Sequence, residues 1–265
     1  MKIALAGKGG AGKTTIAAWL GDHLARLGNN VWLVDADTAL SLGQASGLST
    51  ADLPVPLAAR EDLVRQRIGQ GMLHLTPDVA DLPEALSVPL PLGGPAYPGC
   101  AAGAKRLLVM GTVPGAGGGC ACAANTLLKA VLAELVLARG ECVLVDLEAG
   151  VEHLGRGTVQ SVDALIVVSE PSLRALNTGA EVARMGRDLG IPRQVLALNR
   201  STGSAPLPDI PDLPETVLRV PRLAGLEERQ LTSGSVLGLP EDALVGRFCA
   251  ELLQALEAQR EKAAA

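Results

Sequence analysis

Short apolar runs bounded by turn-forming residues recur along the chain. They are Lys2–Ala6, Val31–Asp35, Met72–Thr76, Leu107–Met110, Cys142–Leu147, Ala164–Ser169, Gln194–Leu198 and Thr216–Val220. Each is about a strand long, and most lack the apolar–polar alternation of a strand with one wet face. That pattern predicts strands buried on both faces of a parallel sheet. Between them lie stretches of helical length: Lys13–Leu27, Leu57–Gln70, Asn125–Arg139 and Ser172–Leu189. In the first, Leu20, Leu24 and Leu27 recur at helical spacing and face the sheet. Strand and helix alternate, which predicts an α/β fold. The expected architecture is a single doubly wound, mostly parallel sheet of about seven or eight strands with helices on both faces. With no internal repeat and no interdomain linker, residues 1–265 read as one domain.

Two segments stand outside this alternation. Leu82–Ala104 is rich in proline and glycine and reads as a long surface loop. Glu241–Lys262 reads as a helix with Leu244, Val245, Phe248, Cys249, Leu252, Leu253 and Leu256 on one stripe. Its opposite face carries Glu251, Glu257 and Glu261, where a membrane-surface helix would carry Lys and Arg. It is therefore expected to dock on the sheet, with Cys249 as a small apolar residue.

Composition narrows the function classes. The 265 residues are 48% hydrophobic and 19% charged, ample for a packed core. The formal net charge of −5 gives no general footprint for nucleic acid. Trp19, Trp32, Tyr97 and Phe248 are the whole aromatic content, too few for a base-stacking platform. Five cysteines, an odd and low number, argue against a disulfide-stapled secreted fold. No apolar run approaches the ~18–20 residues of a membrane helix, and the N-terminal run is too short for a signal peptide. The expectation is a soluble cytoplasmic protein that binds neither nucleic acid nor membrane.

The strongest chemical signal is Gly7-Lys8-Gly9-Gly10-Ala11-Gly12-Lys13-Thr14-Thr15, which follows the first strand and opens the first helix. It fits the phosphate-loop pattern in the setting that pattern requires. The glycines let backbone N–H groups turn inward around phosphate oxygens, and the helix N-terminus adds partial positive charge. Lys13 is placed to reach the β and γ phosphates. The Thr14 hydroxyl is placed for Mg²⁺, and Thr15 for a further phosphate contact. ATP or ADP with Mg²⁺ is the implied ligand.

Lys8 is more than a phosphate loop needs. With it, the loop resembles the deviant Walker A family, the dimerising ATPases of the Min, Par, Ars and nitrogenase-iron-protein type. The resemblance implies a P-loop NTPase fold. It also implies that Lys8 reaches across a homodimer interface to the partner's nucleotide. Val31-Trp-Leu-Val-Asp35-Ala-Asp37 matches the family's first switch. This gives Asp37 a catalytic role with the attacking water and a place near Mg²⁺, and Asp35 a structural or Mg²⁺-linked role. Val143-Leu-Val-Asp146 has the Walker B form, which implies that Asp146 holds a Mg²⁺-bound water. Phosphoryl transfer relies on such placed carboxylates. Asn199-Arg200 ends a later strand, where the family uses Asn at the adenine edge; a plain turn-forming Asn is the alternative.

Cys120-Ala-Cys122 follows a glycine-rich stretch and precedes a helical one. Two thiolates so spaced can face one metal, and a helix N-terminus favours the thiolate. Two sulfurs cannot complete a tetrahedral or square-planar site, but two chains supply four. Cys100 stays open as a third ligand. Packing at a helix start is the alternative reading of the pair. With this pair upstream, Asp146-Leu-Glu148-Ala-Gly-Val-Glu152-His153-Leu-Gly-Arg156-Gly-Thr158 resembles the nickel-insertion ATPases of the CooC type. These are accessory proteins for carbon monoxide dehydrogenase and related nickel enzymes. The resemblance implies an ATP-dependent homodimer that holds Ni²⁺, or Zn²⁺, at Cys120 and Cys122. Its client would be carbon monoxide dehydrogenase or acetyl-CoA synthase, with Glu152 and His153 as a candidate relay. An iron–sulfur carrier or reductase, a partitioning ATPase and a small-molecule kinase are the rival readings. His23 and His74 have no spaced ligand partner and read as ordinary surface or core histidines.

Overall fold

The computed structural model describes residues 1–37, 39–68, 77–111, 126, 127, 130, 131, 134, 141–147, 162–203 and 206–264. The apolar runs within them become strands: β1 (Lys2–Ala6), β2 (Val31–Ala36), β3 (Val88–Pro89), β4 (Lys105–Val109), β5 (Cys142–Leu147), β6 (Ala164–Ser169), β7 (Gln194–Leu198) and β8 (Val217–Arg219). They form one sheet in the order β3-β4-β2-β5-β1-β6-β7-β8. β3 pairs antiparallel with β4, and every other pairing is parallel. The predicted bounds of β1, β5, β6 and β7 coincide with the observed ones, whereas β4 begins earlier than its predicted run, at Lys105. The predicted run Met72–Thr76 lies outside the described residues.

The missing polar alternation has a direct cause. In β1, Ile3 and Leu5 point into one core, and Ala4 and Ala6 into the other. In β5, Cys142 and Leu144 face the first, and Val143, Val145 and Leu147 the second. Both faces are dry, so both sets of positions must be apolar. On the first face lie helices α1 (Lys13–Arg26) and α2 (Leu42–Ala45) and the C-terminal helix α7 (Asp242–Ala264). On the second lie α3 (Glu61–Ile68), α4 (Leu82–Leu86) and α5 (Leu173–Asp188). Of the predicted helix over Asn125–Arg139, residues 126, 127, 130, 131 and 134 are described and helical. Leu127 and Val131 are fully buried there. A short helix α6 (Ala224–Gln230) follows β8.

Four expectations change. Leu27, expected to face the sheet with Leu20 and Leu24, is the residue after α1 and is 40% exposed. The helix expected over Leu57–Gln70 is split: Leu57–Ala59 is a 3₁₀ turn and α3 starts at Glu61. The Ala58 N–H bonds to the Met110 carbonyl, and Arg60 leaves the helical region at φ −90°, ψ 66°. Glu61 and Asp62 then suit a fresh helix N-terminus.

The stretch Leu82–Ala104 is a surface loop only over 91–104, which holds no helix or strand and no buried residue. The whole stretch contains α4 and edge strand β3, buries Leu90, and crosses the first face against α1. Its proline-rich backbone pairs with side chains that periodicity cannot see. Gly93 N–H donates to Asp22, Arg26 donates through Nε to the Pro95 carbonyl, and Tyr97 Oη lies 2.8 Å from His23 Nδ1. The Arg26 guanidinium also sits 4.4 Å from the Tyr97 ring centre.

On α7, Val245, Phe248, Cys249, Leu252 and Leu256 are buried as expected, but Leu244 is 39% exposed. Burial raises the Cys249 thiol pKa, as befits a packing residue.

Candidate functional site

β1 lies inside the sheet, with β2 to β5 on one side and β6 to β8 on the other, so the strand order reverses beside it. In open α/β sheets, ligands bind at the carboxyl ends of the strands where the strand order reverses. The sequence-predicted residues gather at that edge. The loop Gly7–Gly12 follows β1. Asp35 and Asp37 end β2, Asp146 lies near the end of β5, and Asn199 follows β7. Parallel register sets Asp35 and Asp146 side by side, with Leu5 of β1 opposite Asp146.

Two glycines of the loop are dictated by space. A Cβ on Gly7 would lie 2.0 Å from the Val168 carbonyl oxygen of β6. Gly12 caps α1 in the left-handed region at φ 102°, where a Cβ would lie 2.3 Å from Asn199 Nδ2. Lys8, Gly9 and Gly10 are exposed, whereas Ala11 is buried. Lys13 is the first residue of α1 and is 4% exposed. Its Nζ lies 3.8 Å from Asp37 Oδ2. Thr14 and Thr15 follow on the first turn, half-buried. The Thr14 hydroxyl donates to Asp146 Oδ2 at 2.6 Å.

The two buried carboxylates differ in their partners. Asp35 accepts from the Asp37 N–H at 3.2 Å and from the Leu42 N–H at 2.9 Å, so it ties together both ends of the loop after β2. Burial lifts its pKa to about 6 against the pull of those hydrogen bonds. Asp146 is lifted to about 7, again mainly by burial, with Asp35 and Asp37 adding negative charge nearby. Its Oδ1 is buried and has no hydrogen-bond partner among the described residues. An orphaned carboxylate oxygen beside a threonine hydroxyl fits a hard divalent cation such as Mg²⁺.

Asn199 is nearly buried. Its Nδ2 donates to the Ala11 carbonyl at 2.8 Å, and its Oδ1 accepts from the Arg200 N–H at 2.9 Å. Arg200 takes a left-handed backbone at φ 54° and pairs with Glu170. The Asp35–Leu42 and Asn199–Ala11 bonds escaped the sequence, because each joins a side chain to a backbone group that carries no residue signature.

Cys120, Cys122, Glu148, Glu152, His153, Arg156 and His74 lie outside the described residues. Of the other cysteines, Cys142 and Cys249 are buried on the first core face, and Cys100 is half-buried. His23 is buried and hydrogen-bonded to Tyr97. No helix of the described residues is long and apolar enough to cross a membrane.

The profile of the CobQ/CobB/MinD/ParA nucleotide binding domain matches residues 2–257. The chain is 41% identical over 198 residues to the carbon monoxide dehydrogenase accessory protein CooC of Rhodospirillum rubrum, covering 72% of this chain and 71% of that protein. It is 36% identical over 206 residues to an uncharacterised ATP-binding protein of Methanocaldococcus jannaschii, covering 76% and 75%. Among solved structures, the MinC:MinD cell division complex of Aquifex aeolicus superposes with a TM-score of 0.65 at 19% identity, over 96% of this chain and 95% of that one. The septum site-determining protein MinD of Pyrococcus horikoshii, complexed with Mg-ADP, does so with 0.61 at 21% identity, over 95% of each. These two show the fold alone. The matching profile, the CooC identity and the assembled phosphate-loop edge establish that the chain belongs to the CobQ/CobB/MinD/ParA nucleotide-binding family and, within it, to the CooC-type ATPases with a deviant Walker A loop.

Proposed function

We propose that this protein is an ATP-hydrolysing metallochaperone. It dimerises around ATP, takes Ni²⁺ as cargo at Cys120 and Cys122 of two chains, and delivers it to a nickel enzyme such as carbon monoxide dehydrogenase. The ATPase half is carried by the strand-end constellation, in which Thr14 donates to Asp146 while Lys13 faces Asp37. The delivery half is supported by the 41% identity to a carbon monoxide dehydrogenase accessory protein.

The chain's own residues divide the work. Lys13 leaves Asp37 for the β and γ phosphates when ATP enters. The backbone of Gly7, Gly9, Gly10, Ala11 and Gly12 wraps the phosphate chain, with Thr15 adding a contact. Freed from Lys13, Asp37 orients the attacking water. Mg²⁺ would be held by Thr14 and Asp146, with Asp37 nearby, and would neutralise phosphate charge. Lys8, exposed at the rim, crosses to the nucleotide of a second copy. Asn199 and Arg200 border the base. Closing the dimer brings the two Cys-x-Cys pairs together, and hydrolysis releases the switch contacts and opens the sulfur site. Metal affinity and nucleotide state are then reciprocally coupled.

Metal titration of wild type and of Cys120→Ser/Cys122→Ser, with and without ATP, tests this reading. One Ni²⁺ per two chains, lost in the double variant and tightened by ATP, is expected. One Ni²⁺ per chain, or binding retained in the variant, would refute the shared site. Zn²⁺ on the same thiolates is compatible with it, whereas a brown cluster chromophore would favour an iron–sulfur carrier.

A further inference from the structure

We infer that Asn199 is a positioning residue for the phosphate loop. It acts on the polyphosphate chain through the Ala11–Gly12 peptide, whatever it does at the base. The inference rests on the ATP-binding reading above.

Asn199 is anchored on three sides. Its own N–H donates to the Ser169 carbonyl at 2.8 Å, which ties it to the end of β6. Its Nδ2 donates to the Ala11 carbonyl and its Oδ1 accepts from the Arg200 N–H. A flipped amide would set oxygen against oxygen and N–H against N–H, so these partners fix its orientation. Ala11 is held from both ends, since its N–H also donates to the Lys8 carbonyl at 3.1 Å. No peptide bond among the described residues is cis. In a trans peptide C=O and N–H point in opposite directions, so a carbonyl drawn toward Asn199 turns the Gly12 N–H away from it. That fixes the direction of one N–H at the helix start that faces the phosphates. The side-chain amide passes where a Gly12 Cβ would stand, 2.3 Å from Nδ2, so the glycine and the asparagine form one device. A residue that only read a base would need neither the Ala11 bond nor this clearance.

The discriminating probe has phosphates and no base. Calorimetric titration of the full chain compares Mg²⁺–tripolyphosphate with Mg²⁺–ATP in wild type and Asn199→Ala. Loss of a buried hydrogen bond that orders the loop is expected to weaken tripolyphosphate roughly tenfold, and ATP by at least that factor. ATP weakened with tripolyphosphate unchanged would overturn the inference, as would no change in either. A fall in melting temperature with unchanged affinities would assign Asn199 a purely structural role and overturn it too. If Asn199→Ala shows no cooperative melt, Asn199→Asp gives the same readout. Its carboxylate keeps the Arg200 contact but sets an oxygen against the Ala11 carbonyl, so tripolyphosphate binding should again fall, and unchanged binding overturns the inference. A wild-type protein that binds neither probe would overturn the nucleotide reading itself.

Discussion

Asp146 and Asp37 sit at the same edge of the sheet in different surroundings. Asp146 is fully buried with one oxygen on Thr14, and its pKa rises from the ordinary 3.8 to about 7. Asp37 is partly exposed and faces Lys13. A carboxyl raised in the folded state keeps its proton to higher pH than in the unfolded chain. Its contribution to stability is whole below 3.8 and is lost as pH rises through about 7. Melting curves of the Mg²⁺-free protein should therefore show Asp146→Asn gaining on wild type across that window; a constant gap would refute the raised pKa. Asp37→Ala should keep ADP affinity within a few fold and lose hydrolysis by roughly a hundredfold or more, read as single-turnover phosphate release. Hydrolysis at the wild-type rate would remove Asp37 from the water-orienting role. Both residues could be named from the chain alone, since strand-ending aspartates after apolar runs are a local pattern. Their unequal burial could not, because it depends on which strands lie beside them.

Among the elements, α1 does two jobs at its two ends. Its N-terminus presents Lys13 and Thr14 to the site. Toward its C-terminus, Asp22, His23 and Arg26 are buried and bind the segment between β3 and β4. Asp22 accepts from Lys105 at 2.7 Å, and the Lys105 side chain is fully buried, with desolvation lowering its pKa. Arg26 donates with both guanidinium ends to Asp242 at the start of α7. This network joins α1, β4 and α7 on one face. Removing one partner strands a buried charge, so Asp22→Ala should cost about 3–5 kcal/mol in denaturant unfolding. Asp22→Ala with Lys105→Met should recover much of that loss. A cost below about 1 kcal/mol for the single variant would make the pair no more than a surface ion pair. Helical spacing found α1 and the main stripe of α7, because one apolar face is visible in sequence. It missed α4 and β3, and also the course of 91–104, which is held by polar partners far away in the chain.

At the scale of the whole molecule, the proposed dimer gives each chain half of two sites. Lys8 lies exposed beside the phosphate loop. In the proposed dimer it completes the partner's nucleotide site. Lys8→Ala should abolish the ATP-induced doubling of mass in light scattering while leaving measurable nucleotide affinity. Normal dimerisation of that variant would refute the trans role. In the same proposal Cys120 and Cys122 follow the logic of halves, since two sulfurs per chain would need a second chain to enclose one ion.

The sequence alone determined the α/β class, the bounds of β1, β5, β6 and β7, the phosphate loop and the strand-ending aspartates. Each is a local pattern imposed by a parallel sheet with two dry faces and by a backbone that must curl around phosphate. The tertiary structure decided the rest. It set Asp35 beside Asp146 by parallel register, closed Asn199 onto Ala11, and turned a proline-rich stretch into a packed strap against α1. Those contacts join residues far apart in the chain through backbone carbonyls and amides. Every residue has such groups, so only folding could show which of them meet.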